Sequence, residues 1–132
     1  MTKFPVVAEY MVTRLHTLRP EQNIREAIDF LLKHEISGAP VIDSKRHLVG
    51  MLSEKDCLRI LAKGSNHLPA SGTVGDFMTH DVHTIPPHLD IYYAAGLFLA
   101  NPFRRFPVVK AGVLVGQVSR RDILKAVQKI AF

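Results

Sequence analysis

The stretch GQVSRRDIL, Gly116 to Leu124, has a near-copy at Gly50 to Leu58, GMLSEKDCL. Glycine, two largely apolar residues, serine, two charged residues, aspartate, a spacer and leucine follow in the same order in both. A serine followed three residues later by an acid is a capping box, in which two side chains satisfy free N–H groups at the start of a helix. Each copy therefore predicts a strand running directly into a helix. One copy would mark one helix start; two copies imply a repeat.

Working outward confirms it. Met11 laid on Met78 puts His16 on His83, Thr17 on Thr84, Pro20 on Pro87, Ile24 on Ile91, Ala27 on Ala94 and Leu32 on Leu99. Pro40–Val41 then falls on Pro107–Val108. One residue drops out of the turn before Leu114, after which Leu48–Gly50 lies on Leu114–Gly116, Ser53 on Ser119 and Asp56 on Asp122. Chance would align about three identities over this length. The chain is a tandem repeat, with too few copies for a solenoid.

Each repeat has one layout. RLHTLRP and DVHTIPP are short β-type runs stopped by proline. NIREAIDFLLKHEI carries Ile24, Ala27, Ile28, Leu31 and Leu32 at helical spacing behind Asn23 as N-cap. Its counterpart DIYYAAGLFLAN, behind Asp90, is apolar nearly throughout and is expected to be more deeply buried. GAPVID with HLVGML, and RFPVVK with GVLVGQV, predict two hairpins. EKDCLRILAK and RRDILKAVQKIAF are helices, and Lys63–Thr73 is a polar connector. The fold class is α/β (α+β), as two β-α-β-β-α repeats, 1–66 with the N-terminal segment and 67–132. Neither half buries much alone, so the two sheets are expected to pack on each other around a cleft.

Composition narrows the function. The chain has 132 residues, 47% hydrophobic and 22% charged, as in an ordinary globular protein. No apolar run reaches the roughly 20 residues of a membrane span, and no leader is evident, so the expected compartment is a reducing cytoplasm. Cys57 is the only cysteine, which excludes a disulfide framework and a cysteine metal cage. The net charge of +5 favours anionic partners, but the basic residues are spread along the chain, which argues against nucleic acid. His80, His83 and His88 do not share one face, so no metal site is predicted, and no serine–histidine–acid spacing predicts an enzyme.

The serine and aspartate have a second reading beside the cap. They stand where a strand enters a helix, so free N–H groups and the helix dipole favour an anion. Gly50 and Gly116 are expected to let backbone and ligand approach closely. The aspartate accepts from a ribose diol while the serine and N–H groups take a phosphate. Together these ask for a nucleotide.

The combined order resembles the CBS domain, named after cystathionine beta-synthase, and two copies resemble a CBS pair, or Bateman module. The residues that carry it are TVGDFMTHDVHTIPP (Thr73–Pro87), the HTL and HTI runs before proline, Pro-Val, Leu-Val-Gly and both G-x-x-S-x-x-D motifs, covering about residues 5 to 130. The resemblance implies a non-catalytic regulatory module that senses energy or metabolic state. It would need no cofactor and would bind AMP, ADP, ATP or S-adenosylmethionine between its repeats. It implies ribose-binding roles for Asp56 and Asp122, phosphate contacts for Ser53 and Ser119, and pocket-lining roles for Thr17 and Thr84. Ser37 to Ala39, and Arg105 to Phe106, would frame adenine. One pocket would combine Thr17, Ala39, Ser119 and Asp122; the other would combine Thr84, Phe106, Ser53 and Asp56. Arg105, Arg120 and Arg121 favour phosphate at the first, because the other copy has Gly38 and Glu54–Lys55 there. Phe106 would partly fill or stack in the second. Partners implied are a second copy in a disc-shaped homodimer and an unidentified regulated protein. The competing expectation is an association module with this fold, no physiological nucleotide, and S-x-x-D motifs that only cap helices.

Overall fold

The long helix of each repeat starts where a side-chain acceptor precedes the apolar spacing. In the computed structural model, which describes residues 4–62 and 72–131, Asn23 caps α1 (Ile24–Lys33) by accepting from the N–H groups of Arg25 and Glu26. Asp90 caps α4 (Ile91–Ala100) by accepting from Tyr93. Helix α1 buries Ile24, Ala27 and Leu31, and α4 buries Ile91, Ala94 and Phe98, the same positions of the repeat. The expectation of deeper burial for α4 is not met: Tyr92, Tyr93 and Leu99 are exposed, Leu99 by 91%. A helix packed on one side buries one stripe, so its surplus apolar residues face outward.

The hairpins share one register. Strand β1 (Gly38–Ile42) pairs antiparallel with β2 (Leu48–Ser53), and β3 (Arg105–Lys110) with β4 (Val113–Ser119). Gly38 faces Ser53 as Arg105 faces Ser119, and a bulge interrupts both ladders at the same place, after Val41 and after Val108. Ala111 and Gly112 turn the second hairpin with φ of 51° and 81°, the positive pair that suits the strands' twist. The longer first turn is held by Asp43, whose carboxylate accepts from the N–H groups of Lys45 and His47. The strands expected in RLHTLRP and DVHTIPP shrink to single parallel bridges, Leu18 with Val41 and Ile85 with Val108. Pro20, Pro86 and Pro87 have no N–H to extend the ladder.

Helices α2 (Glu54–Ala62) and α5 (Arg120–Ala131) follow β2 and β4 without a loop. The described residues fall into two compact units, those of Met1–Leu15 with His83–Phe132, and those of His16–Val82. This division differs from a cut at residue 66, because the lead-in of each repeat packs on the body of the other. A 3-10 turn, Val7–Glu9, begins with Val7 donating to the Leu89 carbonyl at 2.8 Å. The short helix α3 (Val74–Phe77) begins with Val74 donating to the Gln22 carbonyl at 2.9 Å. Val7 and Val74 are fully buried in the respective cores. The first core also holds Ile91, Phe98, Val108, Val118 and Ile123; the second holds Leu18, Ile24, Leu31, Val41 and Leu52. Of the expected connector Lys63–Thr73, all but Gly72 and Thr73 lies outside the described residues.

Candidate functional site

The two strand-to-helix junctions are alike in backbone and different in chemistry. At β4–α5 the Asp122 N–H donates to Ser119 Oγ at 3.1 Å, and Asp122 Oδ2 accepts from the Ser119 N–H at 2.8 Å. This is the capping box read from the sequence. Asp122 is half-buried. Its Oδ1 has no partner among the described residues, and neither has the Ser119 hydroxyl hydrogen.

At β2–α2 the same box forms, with Asp56 N–H donating to Ser53 Oγ at 3.2 Å and Ser53 N–H to Asp56 Oδ2 at 2.9 Å. Three further bonds close it. The Ser53 hydroxyl donates to Oδ2 at 3.0 Å, and Oδ1 accepts from Arg59 Nη1 and from the Thr79 hydroxyl, each at 2.9 Å. A carboxylate offers about four acceptor positions, and here all are used. Asp56 is 5% exposed, a buried charged residue in full internal pairing.

The flanking residues divide between site and core. Thr17 is half-buried and Thr84 exposed, each one residue before its parallel bridge. Ala39 is fully buried, and its backbone pairs with Leu52. Phe106 does not fill or stack in a pocket: its ring is 2% exposed and packs on Phe98 (centroids 4.7 Å) and Phe103 (5.8 Å). The alternation of β3 turns Phe106 to the core and leaves Arg105 exposed opposite Ser119. Arg105 and Arg121 are exposed and without partners among the described residues. Arg120 is partly tied, its Nε donating to the Phe103 carbonyl at 3.1 Å.

Two expectations about backbone need correction. Gly50 and Gly116 make room for protein, not ligand. A Cβ on Gly50 would stand 2.6 Å from Met78 Sδ and 2.8 Å from the Thr79 carbonyl; one on Gly116 would stand 2.5 Å from Met11 Sδ. The methionines of the lead-ins thus seat on the glycines. The helix starts also hold fewer open donors than anion binding by N–H groups assumes. The Glu54 and Arg120 N–H groups donate to the carbonyls of Ser37 and Arg104, at 2.9 and 3.1 Å, and the serines take those of Asp56 and Asp122.

Sequence reading missed three residues here. Gln117 has its Nε2 buried without a partner among the described residues, and it shares the Ser119 face of β4 by strand alternation. Its counterpart Met51 is apolar, and that mismatch was a usable signal. Thr79 was missed because its tie to Asp56 depends on tertiary placement, whereas Arg59 stands at a local i,i+3 spacing from Asp56 on α2 that the sequence already offered. Cys57 is half-buried, and burial, with the carboxylates of Asp56 and Glu54, pushes its thiol pKa up, which disfavours the nucleophilic thiolate. Among the described residues no three His, Cys, Asp or Glu side chains gather to hold a metal, and no helix is long and apolar enough to cross a membrane.

Comparison with known proteins bears on this geometry. The family model for the CBS domain matches residues 7–63 and 74–129. The chain is 31% identical over 119 residues to protein MJ1225 of Methanocaldococcus jannaschii, covering 90% of this chain and 41% of that protein's length. It is 30% identical to a 17.7 kDa protein of Acidianus ambivalens, covering 91% and 71%. The crystal structure of CBSX2 in complex with AMP superposes with a TM-score of 0.80 at 30% identity, covering 96% of this chain and 98% of that one; CBSX2 is from Arabidopsis thaliana.

Proposed function

The chain belongs to the CBS-domain family, and on that premise we propose that it is a regulatory module that takes an adenosyl ligand, AMP foremost, at the β4–α5 junction. The observation that carries this reading is the open half of the Ser119–Asp122 box. In this reading Asp122 Oδ1 accepts from a ribose hydroxyl, and the Ser119 hydroxyl donates to a phosphate oxygen. Arg105, across the ladder from Ser119, and Arg121 supply forked cationic donors for the same phosphate. The AMP complex of CBSX2, at 30% identity over nearly the full chain, supports the choice of ligand class.

The module binds and does not catalyse. The ligand acts by differential affinity for two conformations, which a partner protein reads. We further propose a homodimer through the outer helix faces. Leu32 (67% exposed) and Leu58 (61%) occupy the same repeat positions as Leu99 (91%) and Leu124 (69%), so each unit exposes a matched pair of leucines, the kind of apolar exposure that supports an interaction surface. Leu99 and Leu124 also line a groove of about 480 Å³ with Phe98, Arg120 and Ile123.

One observation favours the association-module reading: both serines do cap their helices. Calorimetry decides between the two. AMP is expected to bind the wild type and to lose at least tenfold in affinity in Asp122→Ala. Equal affinity in both proteins refutes the assignment. A thermal shift by none of AMP, ADP, ATP or S-adenosylmethionine leaves the association module.

A further inference from the structure

The repeat supplies an internal comparison for each residue around the aspartates. Thr79 and Val12 are counterparts, and their backbones do the same thing: Thr79 exchanges both bonds with Met51 at 2.8 and 2.9 Å, and Val12 does so with Gln117 at the same distances. Their side chains do not. The Thr79 hydroxyl donates to Asp56 Oδ1 at 2.9 Å, whereas Val12 has no hydroxyl to offer Asp122. Arg59 and Lys125 are counterparts in turn. Arg59 bonds Asp56 Oδ1 one helical turn away, and Lys125 makes no such bond to Asp122 among the described residues. With both donors in place, the Ser53 hydroxyl also turns inward to Oδ2, while that of Ser119 remains open.

We infer that Thr79 and Arg59 form a latch that withdraws the Asp56 carboxylate from ligand, so that the chain takes one adenosyl ligand, at Asp122, and none at Asp56. A ribose hydroxyl reaching Asp56 would have to displace a threonine or an arginine from a 5%-exposed carboxylate and leave a donor unpaired. The latch replaces the ligand roles that family resemblance implies for Ser53 and Asp56 with a structural one. Thr79 belongs to the lead-in of the second repeat, so the latch also ties that segment to the first.

The stoichiometry rests on the adenosyl reading, and the test separates the two. Titration calorimetry with AMP is expected to give one equivalent per chain for the wild type. Exchanging the latch for its counterparts, in Arg59→Lys/Thr79→Val, is expected to give two, returning to one when Asp56→Asn is added. The reciprocal pair, Val12→Thr/Lys125→Arg, is expected to build a latch on Asp122 and to weaken AMP at least tenfold. Two equivalents in the wild type, one of them lost in Asp56→Asn, overturn the inference. So do a folded Arg59→Lys/Thr79→Val that still takes one and a folded Val12→Thr/Lys125→Arg with unchanged affinity. If the wild type takes no AMP, the ligand reading has failed and melting judges the latch. Thr79→Val must then lower the unliganded midpoint while Thr79→Ser, which keeps the hydroxyl, does not; equal midpoints in all three overturn it.

Discussion

Asp56 and Asp122 are one residue type at one repeat position with different environments, and stability measures the difference. Asp56→Ala leaves the Thr79 hydroxyl, the Ser53 N–H and a guanidinium without their acceptor, so it is expected to cost about 2–3 kcal/mol. Asp122→Ala loses one capping acceptor and is expected to cost about 1 kcal/mol. Urea denaturation of both variants checks the order. His34 sets a second residue-scale test. It ends α1 with its ring 4.5 Å from Phe30 and stacked at 4.0 Å on His16. Desolvation, then the positive charges of His16 and Lys33, hold its pKa below 6.5. The folded chain thus binds fewer protons than the unfolded one between the lowered value and 6.5, and stability falls as pH drops through that window. His34→Gln is expected to flatten that slope, as read from melting midpoints between pH 7.5 and pH 5.

At the scale of elements, the hairpins depend on contacts their own sequences do not contain. Gly50 and Gly116 sit mid-strand, where glycine weakens a strand unless another backbone comes close. The lead-ins do come close, Thr79 bridging to Met51 and Val12 to Gln117. A methyl group on Gly50 would meet the Thr79 carbonyl at 2.8 Å, and backbone cannot swing aside as Met78 can. On Gly116 the nearest carbonyl is that of Val12, at 3.1 Å. Gly50→Ala is therefore expected to destabilise by about 1–3 kcal/mol, and Gly116→Ala by less; paired thermal melts decide it.

Across the whole molecule, duplication produced two units that each require a piece of the other repeat. Val7 and Val74 are the anchors, each fully buried in the core of the unit it joins. The same duplication repeats the outward leucines. In the proposed homodimer Leu99→Lys/Leu124→Lys is expected to convert a dimer to a monomer in sedimentation equilibrium, with the core residues Phe98 and Ile123 left in place. A wild type that sediments as a monomer removes that proposal.

The repeat, the order of its elements and the capping boxes were legible in the sequence, because each rests on local chemistry: an acceptor before a helix, proline after a strand, a positive-φ pair in a turn. Asn23, Asp90, Ser53 and Ser119 cap as their side chains dictate. The same local reasoning misjudged α4, since hydrophobicity states how much a helix can bury and not how much its neighbours will cover. It also assigned Gly50 and Gly116 to a ligand, and the family resemblance put Phe106 in a pocket. Only the tertiary structure decided those three, and only it separated Asp56 from Asp122. The acceptors of a carboxylate are filled by whatever lies within 3 Å, and for Asp56 one donor comes from a residue 23 positions away along the chain.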